Sequence, residues 1–264
     1  MKISVIIPTY KPKAYLWECL DSLVLQTFPK EDFEVILVLN GCTEPWKSQI
    51  QEYIDTKMQG MNVNFIHTEQ GGVSNARNIA LDNVNGEYVT FIDDDDLISP
   101  MYLEELYEKV NPNTVSVCYP YAFNDGKIEK QLPYGITDAY NYCIEHKCNK
   151  LTSMVRKYFS GPCMKLIPMS FIQDRRYDVR FKNGEDSLFM FLISDKIKKV
   201  AFTSKDAIYY RRYRDNSAYT RGKTKRENIA NKMNMIKAYI SIYLRKPQKY
   251  SLFFFITRLL GTLR

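Results

Sequence analysis

Tyr88-Val-Thr-Phe-Ile-Asp-Asp-Asp-Asp96 is the segment from which the rest of the chain can be placed. Its first five residues are apolar, β-branched or aromatic, the mark of a buried strand, and the strand stops abruptly at four adjacent carboxylates. Neighbouring carboxylates raise one another's proton affinity, so a cation is expected beside them. In an open α/β sheet, ligands sit beyond the carboxyl ends of the strands, where this run falls. Alternation along an extended segment puts Asp93 and Asp95 on one face, Asp94 and Asp96 on the other. Two carboxylates on one face suit a hard divalent ion, Mg²⁺ or Mn²⁺, with a phosphate-bearing substrate completing its shell. The competing reading is a solvated acidic loop capping a helix that starts near Ser99-Pro100.

Upstream, strand and helix alternate. Ile3–Ile7 reads as a strand broken by Pro8-Thr9-Tyr10, and Leu16, Cys19, Leu20 and Leu23 recur at helical spacing over residues 14 to 26. Phe33–Leu39 is a second strand ending in the turn-prone Asn40-Gly41. A helix over Glu44–Lys57, a strand over Val63–His67 and a helix over Val73–Val84 follow. Short connections of this kind predict a parallel, right-handed α/β sheet whose loops gather at one edge. Pro8–Lys11, Asn40–Thr43 and Asp93–Asp96 therefore meet there. Gly71-Gly72 and Arg77 add flexible backbone and a cation at a helix start, which favours a diphosphate, although a glycine pair by itself is also a plain turn.

The 264 residues suffice for one large α/β domain or a domain with an appendage, and 45% hydrophobic with 25% charged residues excludes wholesale disorder. Charge is unevenly spread. Fifteen Lys or Arg face three Asp or Glu from Lys205 to Arg264, so of the formal +7 the first 204 residues carry −5. Such a tail suits anionic lipid, phosphorylated substrates or nucleic acid, and charge alone does not choose among them. Six cysteines without a CxxC pair and only two histidines argue against a zinc site. Lys2 leads directly into the first strand and no run of about 18 apolar residues occurs, so the expectation is a cytoplasmic chain without signal peptide or transmembrane helix.

Beyond Pro100 we expect a helix over Met101–Val110 and a strand over Thr114–Tyr119, while Tyr121–Tyr158, rich in tyrosine, gives no clear pattern. Gly184 relaxes a turn before Glu185-Asp186, which open an apolar helix. Carboxylates in that position also occur for the helix dipole alone. A strand from Ala207 runs into the basic segment Arg211–Arg214, followed by a helix over about 223 to 244. In the last segment Leu252, Phe255, Ile256, Leu259, Leu260 and Leu263 line one helical face. With Lys246, Lys249, Arg258 and Arg264 beside it, that face suits an interfacial helix on anionic lipid, or packing on the domain or a second subunit.

Together these segments resemble the family 2 glycosyltransferases of the GT-A fold. The resemblance rests on Ser4-Val-Ile-Ile-Pro-Thr-Tyr10, Glu34-Val-Ile-Leu-Val38, Gly72-Val-Ser-Asn-Ala-Arg-Asn78, Phe91-Ile-Asp-Asp-Asp-Asp96 and Gly184-Glu-Asp186, in the family's order, with a weaker match near Ser217. It implies a Rossmann-like, mostly parallel sheet flanked by helices over residues 1–217, the donor half in 1–100 and the acceptor half in 101–217, with a basic helical extension over 218–264. It also implies an inverting transferase that uses a nucleotide-sugar donor, a UDP-sugar first, and a glycan or lipid-linked oligosaccharide acceptor of a bacterial surface polysaccharide. Pro8, Thr9, Tyr10 and Asn40 would line the nucleoside pocket, Arg77 would meet the diphosphate, Asp93 the ribose and Asp95 the metal of the Asp-x-Asp motif. Asp94 would support that loop, Glu185 would face the acceptor and Asp186 would be the catalytic base.

Two departures stand out. Asn40-Gly41-Cys42 replaces an Asp-Gly-Ser type turn, and registering Ser217 on the family's Tyr-Arg-x-His-x-x-Ser puts Arg212 on the arginine and Arg214 on the histidine. Arginine cannot ligate a metal but neutralises diphosphate, so Arg214 is expected to take over part of a metal contact. The rival readings are a sugar-phosphate nucleotidylyltransferase, whose Gly-rich first loop is missing from Pro8–Lys13, a non-catalytic partner subunit, and nucleic-acid binding by the tail, which the reading as a whole sets aside.

Overall fold

The computed structural model describes residues 1–214 and 225–263, with 225–228 as backbone only; Ser217 and Arg264, and the start of the helix expected from residue 223, lie outside the described residues. The first half follows the expected alternation: β1 (Ile3–Thr9), α1 (Ala14–Val24), β2 (Phe33–Asn40), α2 (Trp46–Lys57), β3 (Asn62–Thr68), α3 (Val73–Asp82) and β4 (Tyr88–Phe91). β1 pairs in parallel with β2 and β4, and β2 with β3. The register sets Thr9 beside Leu39 and Asn40 beside Thr68, so the loops that follow β1 and β2 emerge side by side. β1 and β2 are buried along their whole length because helices cover the sheet, which is why they read as unbroken apolar runs. The predicted stripe of α1, Leu16, Cys19, Leu20 and Leu23, is fully buried.

The second half holds β5 (Leu97–Ile98), α4 (Tyr102–Lys109), β6 (Thr114–Val117), β7 (Tyr119–Asn124), β8 (Lys127–Leu132), α5 (Gly135–Glu145), β9 (Lys165–Pro168), α6 (Met169–Ile172), α7 (Glu185–Ile193), β10 (Lys199–Phe202) and β11 (Ile208–Tyr213). β9 runs antiparallel between β4 and β6, giving the main sheet the order β10-β6-β9-β4-β1-β2-β3. The strand expected over Thr114–Tyr119 is divided: the chain leaves the main sheet at Cys118 and enters a second sheet, β5-β11-β7-β8. Within the uninterpreted stretch 121–158, β7 and β8 form a hairpin around Asp125-Gly126. β5 pairs with β11 directly after the acidic run, so that run lies between the two sheets. The fold is the expected mostly parallel α/β sheet flanked by helices.

Two helices close the described chain, α8 (Lys225–Arg245) and α9 (Leu252–Leu263). α9 packs back on α7 and α8, with Phe254 fully buried and Phe255 and Leu259 half-buried. Of the two expectations for this helix, lipid or protein packing, Arg258 follows the second: it points inward at 7% exposure and donates to the Phe159 carbonyl and, at 3.2 Å, to Ser160 Oγ. A guanidinium placed opposite backbone carbonyls satisfies acceptors that the domain would otherwise bury unpaired.

Candidate active site

Three loops of the sheet edge are fastened to one another. Thr9 Oγ1 donates to Asp94 at 2.5 Å. The Asn40 carboxamide donates through Nδ2 to the Thr9 carbonyl at 2.7 Å and accepts the Gly72 N–H on Oδ1 at 2.8 Å. Asn40 is 4% exposed and both ends of its amide are engaged, so it staples β1, β2 and the start of α3. An aspartate here could accept from Gly72 but could not donate to Thr9, which gives the asparagine a structural reason. Gly41 (φ +67°) lies so near Gly71 that a Cβ would stand 2.8 Å from the Gly71 Cα and 3.4 Å from the Tyr10 ring. Pro8 is buried beside Thr9, while Tyr10 is 51% exposed next to these glycines, with the Lys11 ammonium 5.4 Å from its ring centroid.

The acidic run is not extended. Asp96 N–H donates to the Asp93 carbonyl at 3.1 Å, a tight turn, so the expected pairing of faces is lost and each carboxylate meets a different group. Asp93 pairs with Arg77 at 3.0 Å, Asp94 accepts from Thr9, Asp95 pairs with Arg214 through Nε, and Asp96 accepts the Arg212 N–H at 2.7 Å. Arg212 Nε also holds the Asp95 carbonyl at 2.8 Å, while its two NH₂ groups pair with Asp125 and Glu18 at 2.5 Å. Arg211 lies in the field of Asp96 and Asp93. Burial pushes the Asp94 carboxyl up to about 7, with Asp95 and Asp93 adding to the rise and the Thr9 hydrogen bond opposing it.

Arg77 is the hinge of the site. At 3% exposure its guanidinium bridges Asp93 and, at 2.5 Å, Asp186, and lies 5.5 Å from the Tyr177 ring. Two carboxylates balance its charge, as a buried guanidinium requires. Gly184, at φ +85° and with Met235 where a Cβ would point, turns the chain into α7 so that Glu185 and Asp186 form the first helical turn. Burial raises Asp186 above the ordinary carboxylate range, and Arg77 pulls the other way. Glu185 is 9% exposed, its Oε2 has no hydrogen-bond partner, and burial next to Asp186 raises it too. A raised carboxyl whose side chain keeps 29% exposure, as that of Asp186 does, is a competent proton acceptor.

The structure thus brings together Pro8, Thr9, Tyr10, Asn40, Arg77, Asp93, Asp94, Asp95, Glu185, Asp186 and Arg214. Sequence reasoning missed Tyr209, whose hydroxyl accepts the Asp93 N–H at 3.2 Å, as well as Tyr177 and Lys165. Lys165 is fully buried, its ammonium donates to the Gly161 carbonyl at 2.7 Å and the Cys163 carbonyl at 2.5 Å, and it lies in the field of Asp186. Only a lysine interrupting an apolar run, Lys165-Leu-Ile-Pro168, hinted at it.

Members of the family resembled above generally use a divalent metal. Such an ion takes one or two carboxylates plus substrate phosphates. Here the two carboxylates expected for it, Asp93 and Asp95, each carry a guanidinium, and no group of three His, Cys, Asp or Glu among the described residues could hold a metal ion. As arranged, the donor set does not fit a divalent ion. A cavity of about 700 Å³ opens beside Arg214 and is walled also by Lys13, Tyr15, Glu18, Asp125 and Lys127.

Residues 4–174 match the family model described as glycosyl transferase family 2. Glycosyltransferase GlyA of Streptococcus pneumoniae is 31% identical over 208 residues, 74% of this chain and 29% of that protein. The poly(ribitol-phosphate) beta-glucosyltransferase of Bacillus spizizenii is 30% identical over 81% of this chain and 33% of its own length. The chain thus spans about a third of these relatives. The crystal structure of Staphylococcus aureus TarS residues 1–349 in complex with UDP-GlcNAc superposes with a TM-score of 0.73 at 25% identity, covering 92% of this chain and 67% of that one. The match runs from β1 through the acidic turn to α6, short of the α7 carboxylates and of Arg214, and the chain belongs to glycosyl transferase family 2.

Proposed function

We propose that the chain transfers a sugar from a nucleotide-sugar donor, a UDP-sugar, to a hydroxyl of a glycan or lipid-linked oligosaccharide in bacterial surface polysaccharide synthesis. The observation that carries this reading is the Asp93–Arg77–Asp186 bridge, which joins the donor-side turn to a raised carboxyl more than ninety residues away. The names of the relatives support the acceptor class, and the UDP-GlcNAc bound to TarS supports the donor.

In this reading the nucleoside enters between Tyr10 and the stapled loops of Thr9, Asn40 and Gly72, and its ribose meets Asp93. Arg77 aims Asp186 at the acceptor hydroxyl by holding one carboxylate oxygen, which leaves the other free to take the proton. Glu185, with an unpaired oxygen, contacts the acceptor side. The acceptor oxygen attacks the anomeric carbon opposite the leaving diphosphate, so the configuration inverts in one displacement, and base assistance contributes about 10²–10⁴-fold. Protection of the protein against thermal unfolding by a panel of nucleotide sugars, followed by transfer to glycan acceptors, tests it. Protection without turnover, with or without acceptor, would favour a non-catalytic partner subunit.

The C-terminal helices are proposed to rest on an anionic membrane surface. No Asp or Glu occurs from residue 228 onward, and Ile229, Met233, Ile240, Leu244, Leu252, Phe253, Ile256, Leu260 and Leu263 are exposed on α8 and α9. No helix among the described residues is long and apolar enough to cross a membrane.

A further inference from the structure

We propose that Arg214 serves as a built-in cation at the leaving diphosphate, so that donor binding and departure of the nucleoside diphosphate proceed without a divalent metal. This rests on the donor-site reading above and concerns the charge balance of that same site.

The argument begins with where β11 ends. β11 is clamped over the acidic turn by its antiparallel pairing with Leu97–Ile98 and by the Arg212 N–H on Asp96. Two residues further on, Arg214 is delivered onto the Asp95 carboxylate, which is 17% exposed. Its guanidinium also stacks on Tyr15, with Cζ 4.6 Å from the ring centroid. A planar cation held at one edge by a carboxylate and on one face by an aromatic ring has few orientations left, so it is positioned before any ligand arrives.

Asp95 uses only Nε of Arg214. Among the described residues the two NH₂ groups donate no hydrogen bond, and the side chain lines the cavity that Lys13 and Lys127 also wall. That is the fork geometry that reads a phosphate through two parallel hydrogen bonds. Arg77 pairs with Asp93, Arg212 Nε holds the Asp95 carbonyl and Arg211 lies in the field of Asp96 and Asp93, so with Arg214 four guanidiniums already surround the turn of four aspartates. A dication would have to displace Arg214 from Asp95 before it could ligate, and the displaced guanidinium would remain beside it as a like charge.

The transfer balances without a metal. The acceptor oxygen forms its bond to the anomeric carbon as the bond from that carbon to the phosphate oxygen breaks. The bonding pair leaves on the diphosphate, where Arg214 meets it, and the acceptor proton passes to Asp186.

The test is calorimetric titration with UDP, GDP and CDP in EDTA and again in Mn²⁺, with Mn²⁺ binding followed separately by electron paramagnetic resonance. Wild-type protein is expected to bind one diphosphate equally well in both buffers and to leave the free-Mn²⁺ signal unchanged. Arg214→Ala should weaken binding in EDTA by about 10- to 100-fold, the worth of a charge-assisted phosphate contact. Arg214→Lys, which keeps the charge and loses the fork, should fall between the two, and thermal unfolding checks that both variants are folded. Wild-type binding that collapses tenfold or more in EDTA and returns with Mn²⁺ would overturn the inference alone, as would undiminished binding by Arg214→Ala. Failure of all three diphosphates in both buffers would overturn the donor-site reading, and the inference with it.

Discussion

Replacing Asp94 with asparagine should stabilise this protein, and more so at higher pH. Burial lifts the Asp94 carboxyl from 3.8 to about 7, so the folded chain keeps a proton there that the unfolded chain releases near pH 4. Between those values unfolding sheds one proton, and stability falls as pH rises, by about 1.4 kcal/mol per unit. The loss is absent below the unfolded value and complete above pH 7, where it amounts to about 4 kcal/mol. Asparagine has nearly the shape of the protonated acid and can still accept from Thr9 Oγ1, so Asp94→Asn removes the titration while keeping the bond. The gain should be about 1–2 kcal/mol at pH 5 and about 4 at pH 8, a widening of roughly 2–3 kcal/mol. For a chain of this size that means the gap in melting temperature grows by at least about 4 °C. Thermal and urea unfolding of both proteins at pH 5, 6.5 and 8 measures it. A gap that stays constant across that range would refute the reasoning, because it would mean that Asp94 is ionised in the fold at every pH tested.

Asp186→Asn should lower the transfer rate by about 10²–10⁴-fold while leaving UDP binding within a few-fold of wild type. Because burial raises Asp186, the wild-type rate should decline as pH falls through a value above the ordinary carboxylate range, and kcat/KM against pH reads that acidic limb. Gly41→Ala forces a left-handed backbone on alanine at a cost of about 1–2 kcal/mol and pushes a methyl to 2.8 Å from Gly71 Cα, so both the melting temperature and nucleotide affinity should drop. Phe253→Ser with Ile256→Ser, both about half exposed, should release the protein from phosphatidylglycerol vesicles without changing its melting temperature; unchanged co-sedimentation would remove the membrane proposal. Arg258→Met, which strands the Phe159 carbonyl, should cost about 1–3 kcal/mol in urea unfolding.

The donor half was legible because its signals are local: β1, β2 and β4 are unbroken apolar runs cut off by Pro8, Asn40-Gly41 and the aspartates, and the stripe of α1 has a single clear period. The pairing of the site's charges was not legible, since Arg77 reaches Asp186 across 109 residues and no pattern in either segment names the other. β9 escaped notice because Lys165 breaks its apolar run, and the lysine is buried only because two loop carbonyls receive it. The sequence left the partner of α9 open, between lipid and protein, for a different reason. Phe253, Phe254 and Phe255 place an aromatic ring on most of the helix circumference, so periodicity cannot say which side the domain covers, and contact with the Phe159 carbonyl decides it.

Arg258 and Lys165 together bind the carbonyls of Phe159, Gly161 and Cys163, and Cys163 lies in the fields of Asp93 and Arg77. One of the two cations that shape the segment next to the acceptor side is thus translated about a hundred residues after the segment itself. During synthesis at roughly 5–20 residues per second, the donor half can fold early, but the acceptor side waits several seconds more for its last cation. On the proposed function, a nascent chain would acquire the capacity to hold nucleotide before the capacity to use it, and a protease that trims the last helix would return a finished molecule to that earlier condition.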